Sequence, residues 1–241
     1  MCFIELENQK VPRISIGTSP FMGAGQFGQL SLLWRATFLQ NAELMAKLMM
    51  TSYQHGVKGA EVIPAGQIVE AALITRGHYP DFTIIASTFW ETLANDFLID
   101  KLINADSKII FLHGSISDQR SIPLITPLLS KIRASGKIPG IATHYPQLTI
   151  PFIHQNKLDC SAILLPFNLR GEFMGDQKVV EELVNSLDYF FVAMKSLAAG
   201  KIPPKKAFPY LGKNNISAVT IGLVSEEEII ETITEAKKVF K

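Results

Sequence analysis

The chain has 241 residues, 47% of them hydrophobic and 19% charged, with 23 basic side chains against 22 acidic ones. That is material for one large domain with a buried core, and it excludes a disordered tail or a stapled miniprotein. A net charge of +1 supplies no long-range field to gather nucleic acid or anionic membrane, so the partner expected is a small molecule.

Eight strand-length apolar runs rich in Val and Ile follow one another: 13–19 (RISIGTS), 57–63 (VKGAEVI), 82–88 (FTIIAST), 108–114 (KIIFLHG), 138–144 (IPGIATH), 161–168 (SAILLPFN), 191–196 (FVAMKS) and 218–224 (AVTIGLV). Their hydrophobicity is continuous rather than alternating, as in parallel strands covered on both faces. Between them lie segments of helical spacing. Ala42 to His55 carries Leu44, Leu48 and Met49 on one side and stops at Gly56. Gln67 to Thr75, Asn95 to Ile103, Leu124 to Ala134 and Val179 to Leu187 read similarly. The last helix starts most clearly, with Ser225 as N-cap and Glu226, Glu227 and Glu228 in its first turn. Pro203, Pro204 and Pro209 leave room for a turn or two between the last two strands.

Eight strands alternating with helix-length connections give an α/β architecture whose economical closure is a (β/α)8 TIM barrel, a single domain over residues 1–241. An open sheet of eight strands would leave two edges to protect.

Cys2 and Cys160 are the only cysteines, too few for a disulfide framework or a thiolate zinc site, and Cys160 reads as a small buried strand residue. The N-terminal segment MCFIELENQK lacks a basic region followed by an apolar run of signal-peptide length, and no stretch reaches the roughly 18 apolar residues of a membrane span, so a soluble cytoplasmic protein is expected. His55, His78, His113, His144 and His154 show no metal-ligand spacing, and no metal is expected. Gly23-Ala-Gly25-Gln-Phe-Gly28 matches GxGxxG, but the position about 20 residues on is Leu48 and no acidic residue stands there to meet a ribose. The segment reads instead as a flexible loop over the mouth, with Phe21, Phe27 and Trp34 as lid or packing groups.

The sequence resembles the aldo-keto reductases, collinearly from first strand to last helix. The likeness is carried by Arg13-Ile-Ser-Ile-Gly-Thr-Ser, Phe111-Leu-His113-Gly, Gly136-Lys-Ile-Pro-Gly-Ile-Ala-Thr-His144, Leu165-Pro-Phe-Asn168, Ala193-Met-Lys-Ser-Leu-Ala-Ala-Gly200 and Val219-Thr-Ile-Gly-Leu-Val-Ser-Glu-Glu-Glu228. The resemblance implies a barrel that holds NADP or NAD at its C-terminal mouth and reduces carbonyls with an Asp, Tyr, Lys and His. Here His113 matches the family histidine, and Glu61 stands where the family has its Asp. The segment IPAGQ at 63–67 holds no tyrosine, and Ser87 or Thr88 stands at the lysine position. Tyr53 precedes the second strand and should point elsewhere, whereas Tyr145 is the one tyrosine placed to reach the mouth.

Chemistry in a barrel sits at the C-terminal strand ends, which selects Thr18, Glu61, Thr88, His113, Thr143, His144, Asn168 and Lys195. Glu61 and His113 are expected to face each other, because a charged group ending a buried strand needs a partner. With Lys195 they form the catalytic candidates. Thr18, Thr143, His144, Asn168, Gly200, Gly222 and Ser225 are the cofactor-binding candidates, the last three because phosphate often binds at the loops after strands seven and eight. Glu226 to Glu228 would repel a 2′-phosphate there. Three readings stand: an oxidoreductase with an altered catalytic set, a lyase or isomerase using Lys195 and His113, and a noncatalytic binding or subunit protein whose apolar patch spans Phe21 to Trp34.

Overall fold

A computed structural model describes residues 2–89 and 97–241. A short antiparallel hairpin, β1 (Phe3–Leu6) and β2 (Gln9–Pro12), precedes eight parallel strands. These are β3 (Ile14–Gly17), β4 (Gly59–Val62), β5 (Thr83–Ser87), β6 (Ile109–Leu112), β7 (Ile138–Ala142), β8 (Ala162–Pro166), β9 (Phe190–Met194) and β10 (Ala218–Gly222). They close in sequence order, β10 pairing with β3 through Thr220 opposite Ser15 and Gly222 opposite Gly17. All eight apolar runs of the sequence are therefore barrel strands.

The outer layer contains α1 (Leu30–Phe38), α2 (Ala42–Gln54), α3 (Ile68–His78), α4 (Phe97–Asn104), α5 (Gly114–Ser117), α6 (Ile122–Ala134), α7 (Pro146–Gln155), α8 (Gln177–Ser186), α9 (Pro204–Leu211) and α10 (Glu226–Val239). Capping fixes several starts. Asn41 accepts the Leu44 N–H before α2, Asp176 those of Lys178 and Val179 before α8, and Ser225 that of Glu228 before α10. Three glutamates in the first turn of α10 and Lys237 and Lys238 in its last complement the helix dipole at both ends. The start of the helix expected over Asn95 to Ile103 lies outside the described residues; the remainder is α4. The sequence pattern announces neither α1, α5 and α7 nor the hairpin. The stretch expected as a flexible loop after the first strand is one 3-10 turn at Gly25–Phe27 followed by α1.

Strand side chains alternate between two cores. Ile16, Ala60, Val62, Ile84, Ile110, Ile141, Ile163, Leu165, Val219 and Ile221 pack outward against the helices, while Ile85, Ile109, Phe111, Ile138, Ala142, Ala162, Leu164, Phe190 and Val192 fill the barrel. Phe111 lies over Gly140 of the next strand, where a Cβ would come within 2.4 Å of the ring. The hairpin closes the N-terminal end: Val11 is fully buried in the inner cluster, with Ile4 and Leu6 against it. Arg133 clamps the hairpin from α6, donating to Glu7 Oε2 at 2.5 Å and to Asp159 Oδ1 at 2.7 Å. Its guanidinium holds both carboxyls below the usual carboxylate range. These charges are about one-third exposed or more, so water screens much of the clamp's energy.

Burial rather than charge should therefore secure the hairpin. Val11→Ala is expected to cost about 2 kcal/mol in urea unfolding, and Arg133→Ala less than about 1 kcal/mol. The reverse order would show that the ion-pair cluster holds the cap.

Candidate functional site

The barrel interior is polar on one side. In register, Gly222 lies beside Gly17, Gly17 beside Glu61 and Glu61 beside Ile85, so all three face inward with Ile85. Thr220 and Ser15 sit one inward step below, and Ser87 one step above Ile85. Across the barrel the inner faces of β6 to β9 carry Phe111, Ala142, Leu164 and Val192. Small and polar residues on β10, β3, β4 and β5 thus leave room that bulky residues fill on the other side.

A cavity of about 340 Å³ opens there, within the size range of small-molecule sites. Its walls come from the segment after β3 (Ser19, Pro20, Phe27, Trp34), the loop after β9 (Lys195, Ser196, Leu197, Ala199, Gly200) and the end of β10 with α10 (Gly222, Leu223, Glu228, Glu231); Glu61 and Thr220 lie at its base. Phe27 and Trp34 meet edge-on at 4.9 Å, so the segment read as a loop supplies an aromatic wall. Phe21 does not join them at the surface: it is fully buried, 5.0 Å from Phe38. The exposed apolar groups of that region are Leu30, Leu32 and Leu33. The loop after β9 is tightly wound, with positive φ at Lys195, Ala198, Ala199 and Gly200, a conformation that costs most at non-glycine residues.

Glu61 is 3% exposed. Its Oε1 accepts a 2.6 Å hydrogen bond from Ser87 Oγ, and burial, only partly offset by that bond, pushes its carboxyl up to about 7. The expected pairing of Glu61 with His113 is not observed. Ser87 on the adjacent strand is the partner, so the carboxyl meets a hydroxyl rather than a cation.

His113 instead caps α5, its Nδ1 accepting the Ser115 N–H at 3.1 Å and lying 2.9 Å from Ser115 Oγ. An accepting Nδ1 places the neutral ring's proton on Nε2. Burial, then the neighbouring His144, lowers His113 to about 4, so it is neutral at pH 7. The two rings stand 5.3 Å apart, edge to face. Burial and the Lys195 charge also lower His144. Lys195 lies just beyond β9 rather than within the strand expected over 191–196. Its Nζ is 4.6 Å from the Phe173 ring centre, and burial lowers its pKa.

The remaining candidates separate by role. Gly200, Gly222, Glu61 and Lys195 line the cavity. Thr18 accepts the Ile63 N–H at 3.3 Å and Thr88 that of His113 at 2.9 Å, so both fasten strand ends. Asn168 staples its own loop through Arg170 and Glu172, and Ser225 caps α10. Thr143 donates to Asp118, whose carboxylate also accepts the His144 N–H at 2.8 Å and the Thr149 hydroxyl at 2.7 Å. Asp118 therefore organises the end of β7, a role no sequence motif announced. Tyr145 is exposed, and Tyr53 bonds Asp81 ahead of β5, at the opposite end of the barrel. Among the described residues no group of three or more His, Cys, Asp or Glu could hold a metal ion, and no helix is long and apolar enough to cross a membrane.

Glycine backbone at Gly200 and Gly222 and the start of the 14-residue α10 border the cavity. Its charge is selective. Among the described residues that line it, Lys195 is the sole cation, against Glu61, Glu228 and Glu231.

No protein-family model matches the sequence, and no curated protein is found similar to it. The structure is nevertheless similar to solved aldo-keto reductases. One is an enzyme from Brucella melitensis (TM-score 0.64, 11% identity, 99% of this chain and 98% of that one). Another is the thermostable Tm1743 in complex with the inhibitor epalrestat (0.69, 14%, 100% and 99%). A further similar structure is a variant of Gox0644 in complex with NADPH (0.68, 10%, 97% and 87%). At these identities the likeness establishes architecture: the chain has the closed (β/α)8 barrel fold of the aldo-keto reductases.

Proposed function

We propose that the protein is an oxidoreductase that takes NAD(H) in preference to NADP(H) and uses Glu61 as its acid/base group. The observation that supports this reading best is the cavity that descends from the loops after β9 and β10 to a buried carboxyl titrating near neutrality. The residues available to hold the cofactor are Ala199, Gly200, Gly222 and the first turn of α10, with Glu228 and Glu231 as acceptors for ribose hydroxyls. A nicotinamide cofactor supplies the hydride when bound. Glu61 holds or accepts the proton at the cavity base, a task that a group with a pKa near 7 performs without the phenol used by the resembling family. His113 stays neutral and offers Nε2–H as a hydrogen-bond donor, while Lys195 provides positive charge on the same side of the mouth.

One observation favours a second reading, a lyase or isomerase working through Lys195. This amine is half-buried with a lowered pKa and has no carboxylate partner among the described residues. Borohydride with small aldehydes would trap it as a secondary amine; an unlabelled Lys195 ends the Schiff-base version.

Fluorescence titration should show NADH binding at least about ten-fold tighter than NADPH, with the preference shrinking in the Glu228→Gln, Glu231→Gln double variant. Tighter NADPH binding refutes the selectivity, and no binding of either at millimolar concentration refutes the redox reading. Glu61→Gln should lower kcat/KM by about 10²-fold or more, and reduction by the unaltered protein should decline as pH rises past about 7.

Stability carries its own signature. The unfolded chain releases the Glu61 proton near 4.5 and the folded one near 7. Between these values the folded state holds the extra proton, so stability falls as pH rises through the interval and levels off above it. The loss is about 3 kcal/mol. Glu61→Gln should remove this component of the pH slope in urea unfolding, and an unchanged slope would show that the carboxyl is not buried unpaired.

A further inference from the structure

We propose that the base of the cavity binds a protonated nitrogen, making small amines the ligand class of the site. Three observations meet at one notch. Glu61 is almost fully buried, and the one hydrogen bond its carboxyl accepts among the described residues comes from the Ser87 hydroxyl, with no basic side chain against it. Thr220 is 6% exposed, lines the same cavity, and its Oγ1 has no hydrogen-bond partner among the described residues. Only glycine backbone stands between them. Gly17 lies in register with Glu61, and a Cβ there would stand 2.9 Å from Thr220 Oγ1, too close to be accommodated, so no side chain comes between the hydroxyl and the carboxyl.

A buried polar hydrogen-bonding group is normally satisfied, by protein, water or ligand. Here a carboxyl and a hydroxyl line one cavity with only the backbone of Gly17 between them. An ammonium carries several N–H donors and a positive charge, so it satisfies both oxygens and compensates the carboxylate that Ser87 cannot neutralise. The rim points the same way: Glu228 and Glu231 add negative charge above the notch, and Lys195 is held at the Phe173 ring rather than over Glu61. A carboxylate or phosphate group at this depth would meet Glu61 without a cation beside it. The inference rests on the proposed function only in treating the cavity as the substrate site; the charge complementarity belongs to the notch itself.

The test is calorimetric titration of the full chain at pH 8 with propylamine, propionamide, propionate and potassium chloride. Propylamine should bind at least ten-fold tighter than the neutral amide, with no heat from propionate. Glu61→Gln, which keeps a hydrogen-bonding group for Ser87, should weaken amine binding at least ten-fold, and Thr220→Val should weaken it several-fold. Amine binding that is absent, matched by the amide, or unchanged in Glu61→Gln overturns the proposal; saturable binding of potassium without amine binding also overturns it. The NADH titration is read separately. Amine binding without NADH binding refutes the redox reading alone, and NADH binding without amine binding refutes this inference alone.

Discussion

The burial of the Glu61 carboxyl without a countercharge is the constraint on which the rest of this barrel's mouth depends. Removing a carboxylate from water is costly unless a cation or a set of donors compensates it. Here the compensation is one hydroxyl, from Ser87. The group therefore keeps its proton through most of the pH range below neutrality. An aspartate–lysine pair in the same place would be locked in its charged form and would serve only as electrostatic background. A glutamate facing a serine retains a proton that can move.

The open side of the interior follows from the two-residue period of parallel strands. On β10 the inward positions are Ala218, Thr220 and Gly222, and on β3 they include Ser15 and Gly17. On β6 and β8 they are Ile109 and Phe111, and Ala162 and Leu164. A barrel of eight strands has room for layers of bulky side chains, so where two neighbouring strands contribute glycine, threonine and serine the layer stays unfilled. Phe111 over Gly140 shows the opposite arrangement, one residue taking the space of two. The cavity is thus a packing consequence of residue size along β10 and β3, and the tightly wound loop after β9 roofs it.

Much of this was legible in the sequence, and the exceptions have physical causes. The eight barrel strands stand out because strands buried on both faces read as unbroken apolar runs. The hairpin does not: β1 and β2 are four residues each, half-exposed, and bury Val11 only because a barrel end is there to receive it. Exposed leucines at 30, 32 and 33 hide the helical period of α1, and Pro146 and Pro151 disguise α7, although proline is at home in a first turn. The candidate residues at strand ends were found by position, but their pairings were not. Glu61 meets Ser87 on the adjacent strand rather than His113 two strands away, because neighbouring inward side chains touch before a carboxyl reaches across the barrel. Thr220 was overlooked although its place between Ala218 and Gly222 marks it as inward-facing. Asp118 has no sequence signal, since its three acceptor contacts converge only when β6 and β7 lie side by side.

The mouth is divided electrically, and the division sets how a ligand can lie in it. On one side Lys195 bears on His113 and His144, and together with burial it disfavours their protonated forms. That side presents the Lys195 ammonium and two imidazoles, with the Asp118 carboxylate beside His144. On the other side Glu61, Glu228 and Glu231 line the cavity. A ligand with a positive end and an electron-rich end therefore meets opposite potentials a few residues apart, and its orientation is fixed by charge before any shape is matched. The basic group does not neutralise Glu61: the Lys195 Nζ sits 4.6 Å from the centre of the Phe173 ring, on a backbone turned to positive φ immediately after β9. The carboxyl at the cavity base is left with the Ser87 hydroxyl as its partner, and its proton stays free to exchange.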